Sequence, residues 1–292
     1  AGGQFRWFNP LSLDRYVIRN HRKLLVCDDD IAFVGGFNIA AQYEGDGVQK
    51  GWHDFGLQVR GPLARELAET FESLFALADF RPHRFIRLRK ARFRRAISMS
   101  DGQIILTGPG RGQAFLKNAL VQDILRAREV RIIAAYFLPT WPIRQALKRA
   151  ARRGCKVQII LAGKSDVPLS HLAGRCFYQQ FLRAGIELYE YQPQILHAKM
   201  LVFDDVVYAG SANLDRRSFY INYELMLRLP KPELAAEART IFEKDLAHCR
   251  GIDRKTWPKS RSFWSKLVEG WALFILARVD PFVARRQLKH LR

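Results

Sequence analysis

Residues 19–30 read RNHRKLLVCDDD, and residues 195–205 read ILHAKMLVFDD. Each stretch has a histidine, a lysine two positions later and an aspartate seven positions after the histidine. These residues are His21, Lys23 and Asp28 in the first copy, and His197, Lys199 and Asp204 in the second. Such an internal repeat predicts that the fold contains two related halves.

Each copy is followed by the same succession of local patterns. A glycine turn comes next, GGFN up to Asn38 in the first copy and GSAN up to Asn213 in the second. A carboxylate follows, Asp54 or Glu224, each eight residues before a proline that opens a helical pattern. Proline is tolerated there because its missing N–H has no intrahelical partner in the first turn. The repeated block is therefore predicted to run strand, turn, strand, carboxylate, strand, helix.

Residues 103–196 add alternating helical and strand patterns upstream of the second copy. This alternation predicts an α/β fold with a doubly wound, mostly parallel sheet. Only 20 residues precede His21, and a parallel sheet needs both faces covered, so we expect the first half to be N-terminally truncated. The predicted organisation is a first half at 1–80, a basic linker at 81–102, a second half at 103–250 and a basic, aromatic tail at 251–292.

The two histidine–lysine pairs indicate phosphodiester chemistry. Side chains alternate faces along a strand, so the histidine and the lysine of each copy share a face. Two such faces brought together would form a cationic pocket that suits a phosphodiester and the charge of its transition state. One histidine would attack phosphorus while the other protonates the leaving oxygen.

Other residues of the repeat are predicted to support this pocket. Asp54 and Glu224 would orient the imidazoles, since a carboxylate fixes a histidine tautomer. The aspartates of the two motifs would project to the other face or into the turn, where they accept backbone N–H bonds. The residues expected to bind the substrate phosphate are Asn38, Ser211 and Asn213. Of the five histidines outside the repeat, only His53 stands out, because it lies beside Asp54.

Composition indicates the class of partner. The net charge of +20 suits a partner that carries phosphates, either an anionic membrane surface or nucleic acid. The apolar run at residues 271–277 is far shorter than the roughly 20 residues of a spanning helix. Trp264, Trp271 and nearby basic residues instead predict an interfacial helix, with a helix packed on the core as the alternative. No residue cluster has metal-ligand spacing, so neither a metal nor another cofactor is expected.

The doubled motif, HRKLLVCD with GGFN and HAKMLVFD with GSAN, resembles that of the phospholipase D superfamily. Within this superfamily, the segments GSANLDRRSFYINYE and AAYFLPT are similar to those of bacterial cardiolipin synthases. The resemblance implies two α/β/α sandwich halves related by a pseudo-twofold axis, with one active site between them. It also implies metal-independent phosphatidyl transfer that makes cardiolipin from phosphatidylglycerol through a phosphohistidine.

The resemblance further implies roles for individual residues. His21 would be the nucleophile and His197 the general acid and then base, although the sequence leaves the reverse assignment open. The two motif lysines and the two asparagines would bind the phosphate. The expected partners are an anionic phospholipid and the membrane surface, at the cytoplasmic face of the bacterial cell membrane; nucleic acid is not expected. The alternatives are phospholipase D-type or nuclease hydrolysis and, outside enzymes, a membrane-binding protein with an inactive site.

Overall fold

The structure, a computed structural model, describes residues 2–6, 8, 19–76, 78, 95–109 and 114–279. In chain order the strands are β1 (Leu24–Cys27), β2 (Ile31–Gly35), β3 (Gly56–Arg60), β4 (Arg95–Met99), β5 (Gly102–Thr107), β6 (Glu129–Ala134), β7 (Lys156–Ala162), β8 (Glu187–Tyr191), β9 (Lys199–Phe203), β10 (Val206–Gly210), β11 (Glu224–Pro230) and β12 (Cys249–Gly251). The helices are α1 (Pro62–Phe75), α2 (Phe115–Arg126), α3 (Trp141–Arg152), α4 (Pro168–Arg175), α5 (Tyr178–Arg183), α6 (Arg216–Tyr220), α7 (Pro232–Leu246) and α8 (Phe263–Phe274), which continues into a π-helical turn at Ile275–Val279.

The repeated block has the predicted elements in both halves. In the first half β1, β2 and β3 form an antiparallel sheet and α1 follows. In the second half β9, β10 and β11 pair in the same antiparallel order and α7 follows. The helices begin at the two predicted prolines, Pro62 and Pro232. The prediction of strand, turn, strand, carboxylate, strand and helix is therefore confirmed.

The larger sheet has nine strands in the order β12-β8-β7-β6-β9-β10-β11-β5-β4. Strand β7 pairs in parallel with β6 and β8, whereas the other six neighbouring pairs are antiparallel. The prediction of a mostly parallel sheet is therefore wrong. Helices join the parallel strands, but β9 turns into β10 across two residues, and so short a connection can join only antiparallel strands.

The part of the predicted basic linker that the structure describes lies in the larger sheet. Residues 95–99 form β4, the edge strand, and β5 begins at Gly102. Ile97 and Met99 pack on the core while the small residues between and before them, Ser98 and Ala96, are exposed, so one face of β4 packs and the other stays solvated. The rest of the segment 81–102 lies outside the described residues.

Apolar side chains of both halves pack together between the two sheets. Val34 of β2, Leu67 of α1, Ile104 of β5 and Leu225 of β11 are fully buried in one cluster. Burying each such side chain contributes roughly 1.5–3 kcal/mol. This cluster holds the small sheet against the large one, and it sets the first motif beside the second half.

Helix α8 packs through one face and leaves another uncovered. Its buried Glu269 pairs with Arg175 of α4 at 3.2 Å and with Arg261 just before the helix. Its exposed large apolar side chains are Phe263, Trp264, Leu267, Val268, Trp271 and Phe274. Among the helices that the structure describes, none is both long and apolar enough to cross a bilayer.

Candidate active site

The two motif histidines are each paired with the carboxylate of the opposite half. His21 Nδ1 lies 2.9 Å from Glu224 Oε2, and His197 Nδ1 lies 2.7 Å from Asp54 Oδ2. Because a carboxylate only accepts hydrogen bonds, each Nδ1 must carry the proton. The other nitrogen, Nε2, forms no hydrogen bond within the described residues. Both rings are thus oriented to present an unprotonated Nε2 while they are neutral.

Backbone hydrogen bonds place the histidines beside the opposite half in a reciprocal way. The His21 N–H donates to the Tyr223 carbonyl at 2.9 Å, and the His197 N–H donates to the His53 carbonyl at 2.7 Å. Each acceptor directly precedes the carboxylate that holds the histidine. The segment before the first motif pairs with the segment before β11, and the segment before the second motif pairs with the segment before β3. This pairing places Glu224 beside His21 and Asp54 beside His197.

Glu224 is fully buried and heavily hydrogen-bonded. Besides His21, it accepts from Ser211 Oγ at 2.6 Å, from Ser218 Oγ at 2.8 Å and from Asn222 Nδ2 at 3.4 Å. Burial opposes ionisation, but the positive charge and hydrogen bond of His21 and the bond from Ser211 outweigh it and lower the Glu224 pKa. Ser211, predicted to bind phosphate, is itself fully buried and directs its hydroxyl at this carboxylate.

Asp54 occupies the corresponding place behind His197. Its second oxygen, Oδ1, accepts the Phe55 N–H at 2.7 Å. Gly36 stands where Ser211 stands in the other copy, and a Cβ on it would lie 2.4 Å from Asp54 Oδ1. Glycine is required there because any side chain would push the carboxylate away from His197.

The two motif lysines lie close to the histidines. Lys23 Nζ donates to the His21 carbonyl at 2.9 Å, and Lys199 Nζ donates to the His197 carbonyl. Burial lowers the pKa of each lysine to about 8, against the opposing attraction of Glu224 and Asp54. Both side chains therefore remain mostly cationic at neutral pH and can stabilise an anion between the histidines.

His197 is enclosed by aromatic rings. The ring centroids of Trp52, Tyr43 and Tyr136 lie 5.5, 5.6 and 6.1 Å from that of the imidazole. Tyr43 and Trp52 also contact each other, with centroids 5.2 Å apart. Lys199 Nζ and Tyr43 Oη also approach His197 Nδ1, at 2.9 and 3.3 Å. That nitrogen has one hydrogen to donate, and Asp54 is the nearest acceptor, so we assign the bond to Asp54. Burial lowers the pKa of His197, and the bond to Asp54 only partly opposes this.

His21 is the more accessible histidine. Its side chain is 27% exposed, compared with 5% for His197. It lines a cavity of about 1030 Å³ together with Tyr136 and Asn213. Of the two motif histidines, His21 is therefore the one that a substrate in this cavity would meet.

The two repeat asparagines have different surroundings. Asn38 is exposed, and its Nδ2 donates to Tyr43 Oη at 3.1 Å, which links it to the rings around His197. Asn213 is buried and lines the cavity, and its Oδ1 has no hydrogen-bond partner within the described residues. The structure thus brings Asn213 to the cavity wall beside His21, whereas Asn38 stands at the edge of the aromatic enclosure.

The motif aspartates lie in turns, away from both imidazoles. Asp28 and Asp204 both have left-handed backbone conformations, with φ of 52° and 46°. The Asp204 carboxylate accepts the backbone N–H groups of Arg128 and Glu129 at 3.0 and 2.9 Å. Asp28 is exposed at the equivalent turn of the first copy. Aspartate tolerates this conformation better than most residues.

Within the described part of the chain, no group of three or more His, Cys, Asp or Glu side chains is arranged to hold a metal ion.

His53 has a supporting role that the repeat does not reveal. Its Nε2 lies 2.8 Å from Asp245 Oδ2 on α7, and its ring stacks on Tyr191 at 4.9 Å. These contacts fix the backbone that accepts the His197 N–H and that carries Asp54. The only sequence signal for His53 is its position next to Asp54, because Asp245 lies 192 residues away.

The buried charge of Lys199 should lower the free energy of unfolding of the protein, compared with an apolar side chain at the same position. The side chain is 2% exposed, and a pKa lowered from 10.5 to about 8 corresponds to roughly 3 kcal/mol against its charged form. Losing the bond to the His197 carbonyl offsets about 1 kcal/mol. We therefore expect Lys199→Met to raise the free energy of unfolding by about 2 kcal/mol at pH 7, measured by urea denaturation, while activity is lost.

The pH dependence of this gain has a definite sign. Between pH 8 and 10.5 the folded wild type loses the Lys199 proton while the unfolded chain keeps it. Wild-type stability therefore rises with pH, and the advantage of Lys199→Met shrinks. The exposed Lys244→Met serves as the control, with an expected change within about 0.5 kcal/mol. A Lys199→Met protein less stable than wild type at pH 7 would contradict this account of the buried charge.

Comparison with known proteins identifies similar sequences. A protein-family model described as "Cardiolipin synthase, PLD-like domain" matches residues 120–246. Cardiolipin synthase 1 of Bacillus anthracis is 30% identical over 288 residues, which cover 94% of this chain and 56% of that protein. Cardiolipin synthase of Clostridium perfringens strain SM101 is 31% identical over 298 residues, covering 97% of this chain and 61% of that protein. The chain thus spans a little over half the length of these curated relatives.

Solved structures show the same architecture. Phosphatidylserine synthase of Haemophilus influenzae Rd KW20 superposes with a TM-score of 0.68 and 16% sequence identity, covering 92% of this chain and 71% of that chain. At this identity the similarity concerns the fold alone. Taken with the family model and the curated relatives, the doubled motif and its crossed histidine–carboxylate pairs show that the chain belongs to the phospholipase D superfamily.

Proposed function

We propose that the protein transfers a phosphatidyl group from one phosphatidylglycerol to another, which makes cardiolipin and releases glycerol. The observation that carries the proposal is the pair of crossed contacts, His21 with Glu224 and His197 with Asp54, each with a motif lysine beside its histidine. The similarity to proteins named cardiolipin synthase supports the choice of substrate. Two oriented imidazoles and two ammonium groups are the functional groups that this reaction needs.

In the first step His21 Nε2 attacks the phosphorus of the donor. The new P–N bond forms as the bond from phosphorus to the glycerol oxygen breaks, and the protonated Nε2 of His197 gives its proton to that oxygen. The greater exposure of the His21 side chain and its position in the cavity wall support its choice as the nucleophile. The carboxylate behind His21 stabilises the positive charge that its ring acquires.

In the second step the acceptor hydroxyl attacks the phosphohistidine. A P–O bond forms, the P–N bond to His21 breaks, and the neutral Nε2 of His197 takes the hydroxyl proton. The lowered pKa of His197 suits it to this role as a base. Its enclosure by three aromatic side chains limits the access of water, which favours transfer over hydrolysis.

The remaining site residues would stabilise the transferred phosphate. Lys23 and Lys199 approach from opposite halves, and each loses part of its hydration by burial, so their charges act in a weakly screened environment. Asn213 lies at the cavity wall with His21, and Asn38 lies beside Tyr43. A bound phosphodiester would raise the pKa of both lysines because it favours their charged forms.

We also propose that the protein acts as a peripheral protein at the cytoplasmic face of the bacterial membrane. The exposed aromatic face of α8 would lie in the interfacial region of an anionic bilayer, which the net charge of +20 attracts. Leu273 and Leu276, at the end of α8, line the same cavity as His21. Docking of this face would therefore bring lipid to the mouth of the cavity.

The proposal is tested with vesicles that contain radiolabelled phosphatidylglycerol. We expect cardiolipin and one glycerol released per cardiolipin formed, with no product from a His21→Ala protein. Formation of phosphatidic acid without cardiolipin would show that the protein hydrolyses the phosphodiester and does not transfer the phosphatidyl group. Cleavage of DNA without any turnover of lipid would assign the site to a nuclease.

A further inference from the structure

The cavity beside His21 is larger and more basic than one transferred phosphodiester requires. Its volume of about 1030 Å³ lies at the upper end of the range for ligand pockets. Five basic side chains and one carboxylate, Asp215, line it. That carboxylate already caps α6 by accepting the Ser218 N–H at 2.8 Å. The cavity therefore has a clear excess of positive charge outside the motif residues.

Four of the basic side chains form no ion pair within the described residues, and we name them the acceptor cluster. Its members are Arg19, Lys117, Arg144 and Arg216. Most other partly buried arginines behave differently. Arg131, Arg175 and Arg228 each contact a carboxylate within 3.2 Å. Unpaired cations that converge from four distant segments on one cavity are the arrangement that binds an anion.

The surroundings of the cluster strengthen this interpretation. Burial lowers the pKa of Arg144, whose guanidinium lies 4.6 Å over the Phe177 ring and forms no ion pair within the described residues. The Nε atoms of Arg144 and Arg216 are buried without a hydrogen-bond partner in the described structure; those of Arg131 and Arg175 are too, but these two guanidinium groups have carboxylate partners. Arginine presents a planar fork that matches phosphate oxygens, so both are suited to a phosphate group.

The same cavity also offers acceptors for hydroxyl groups. Asn222 is 8% exposed, and its Nδ2 donates to Glu224, which leaves its buried Oδ1 without a partner among the described residues. Asn213 and Thr140 also line the cavity, and Asn213 Oδ1 and Thr140 Oγ1 are likewise buried without a hydrogen-bond partner among the described residues. A buried oxygen that lacks a donor is costly, so these atoms are expected to accept from a ligand.

We propose that the acceptor cluster holds the phosphate of the acceptor, and that the unpaired oxygens hold its hydroxyl groups. The acceptor that this cluster favours is then a polyol that bears a phosphodiester, such as the headgroup of a second phosphatidylglycerol, over water or a simple alcohol, which would use the same histidines without contacting the cluster. This inference rests on the proposed function, because it assumes that the phosphatidyl group is first transferred to His21.

The test compares two acceptors in the same protein. Arg144→Gln and Arg216→Gln should each lower cardiolipin formation at least about 10-fold, whereas transfer to ethanol, which carries no phosphate, should stay within about two-fold. Transfer to ethanol also reports that the variant is folded and that the histidines work. Arg149→Gln and Arg152→Gln, on exposed positions of the same helix, are the matched controls for lost surface charge. An equal loss with both acceptors, or no loss with either, would overturn the assignment.

A competition assay with a water-soluble phosphate ester separates this proposal from the proposed function. Glycerol 3-phosphate should compete with ethanol in the wild type, and the inhibition constant should rise at least about 10-fold in Arg144→Gln and Arg216→Gln. This result would support the cluster even if the wild type made no cardiolipin, in which case the proposed function alone would fail. Competition by inorganic phosphate as strong as that by glycerol 3-phosphate would overturn the assignment to an acceptor headgroup.

Discussion

His21→Ala should abolish phosphatidyl transfer, with a loss of about 10⁴-fold or more, because the reaction then lacks its nucleophile. His197→Ala should also be severely impaired with phosphatidylglycerol, by about 10²- to 10⁴-fold, because no acid protonates the glycerol oxygen. The two variants separate when the donor carries p-nitrophenol, which leaves without protonation. His197→Ala should then release one equivalent of nitrophenol in a burst and stall, and His21→Ala should show no burst.

The exposed His248→Ala is the control for loss of an imidazole, and its rate should stay within about two-fold of wild type. The structural reason for the difference between the motif histidines is that His21 lines the cavity, whereas His197 lies behind Tyr43, Trp52 and Tyr136. A burst in His21→Ala that is absent from His197→Ala would reverse their roles.

Glu224→Gln should impair the chemistry of His21, and Asp54→Asn that of His197, because each carboxylate serves the histidine of the opposite half. We expect losses of about 10²- to 10⁴-fold with phosphatidylglycerol, since an amide holds the tautomer poorly and does not stabilise an imidazolium. With the nitrophenyl donor, Glu224→Gln should slow the burst itself. Asp54→Asn should leave the burst nearly unchanged and slow the turnover that follows.

Two surface carboxylates provide matched controls. Asp101→Asn and Glu243→Gln remove ion pairs with Lys231 and Arg131, and neither carboxylate is a partner of a motif histidine. Their activities should remain within about two-fold of wild type, because both carboxylates are more than half exposed and Arg131 keeps its second partner, Glu129. If instead Asp54→Asn slowed the burst and Glu224→Gln did not, the functional pairing would not be the crossed one.

The repeat predicted much of this arrangement. The equal spacing of Asp54 and Glu224 before their prolines predicted where the third strand and the helix of each block begin. His197 and Lys199 lie together as the period of two predicted, with Nζ 2.9 Å from Nδ1, although each motif histidine precedes its strand instead of lying in it. These predictions succeeded because they depend on local backbone geometry, which a short stretch of sequence determines.

Features that depend on contacts between distant segments did not follow from the sequence. The crossing of the carboxylates arises from backbone pairing of His21 with Tyr223 and of His197 with His53. The rings that enclose His197 come from segments outside the repeat pattern. Strand β9 lies antiparallel to β6, although the alternation of helices and strands predicted a parallel neighbour. Tertiary packing determines the crossed carboxylates, the rings around His197 and the direction of β9, and the spacing of residues along the sequence does not encode that packing.

The central claim is that one active site uses His21 as the nucleophile and His197 as the acid and base. It is tested most directly by acid-free quenching of His197→Ala after one burst with a labelled nitrophenyl donor, followed by peptide mass spectrometry. The account predicts one phosphatidyl group per chain, attached to the peptide that contains His21. Label on any other residue, or a full burst without a covalent adduct, would contradict it.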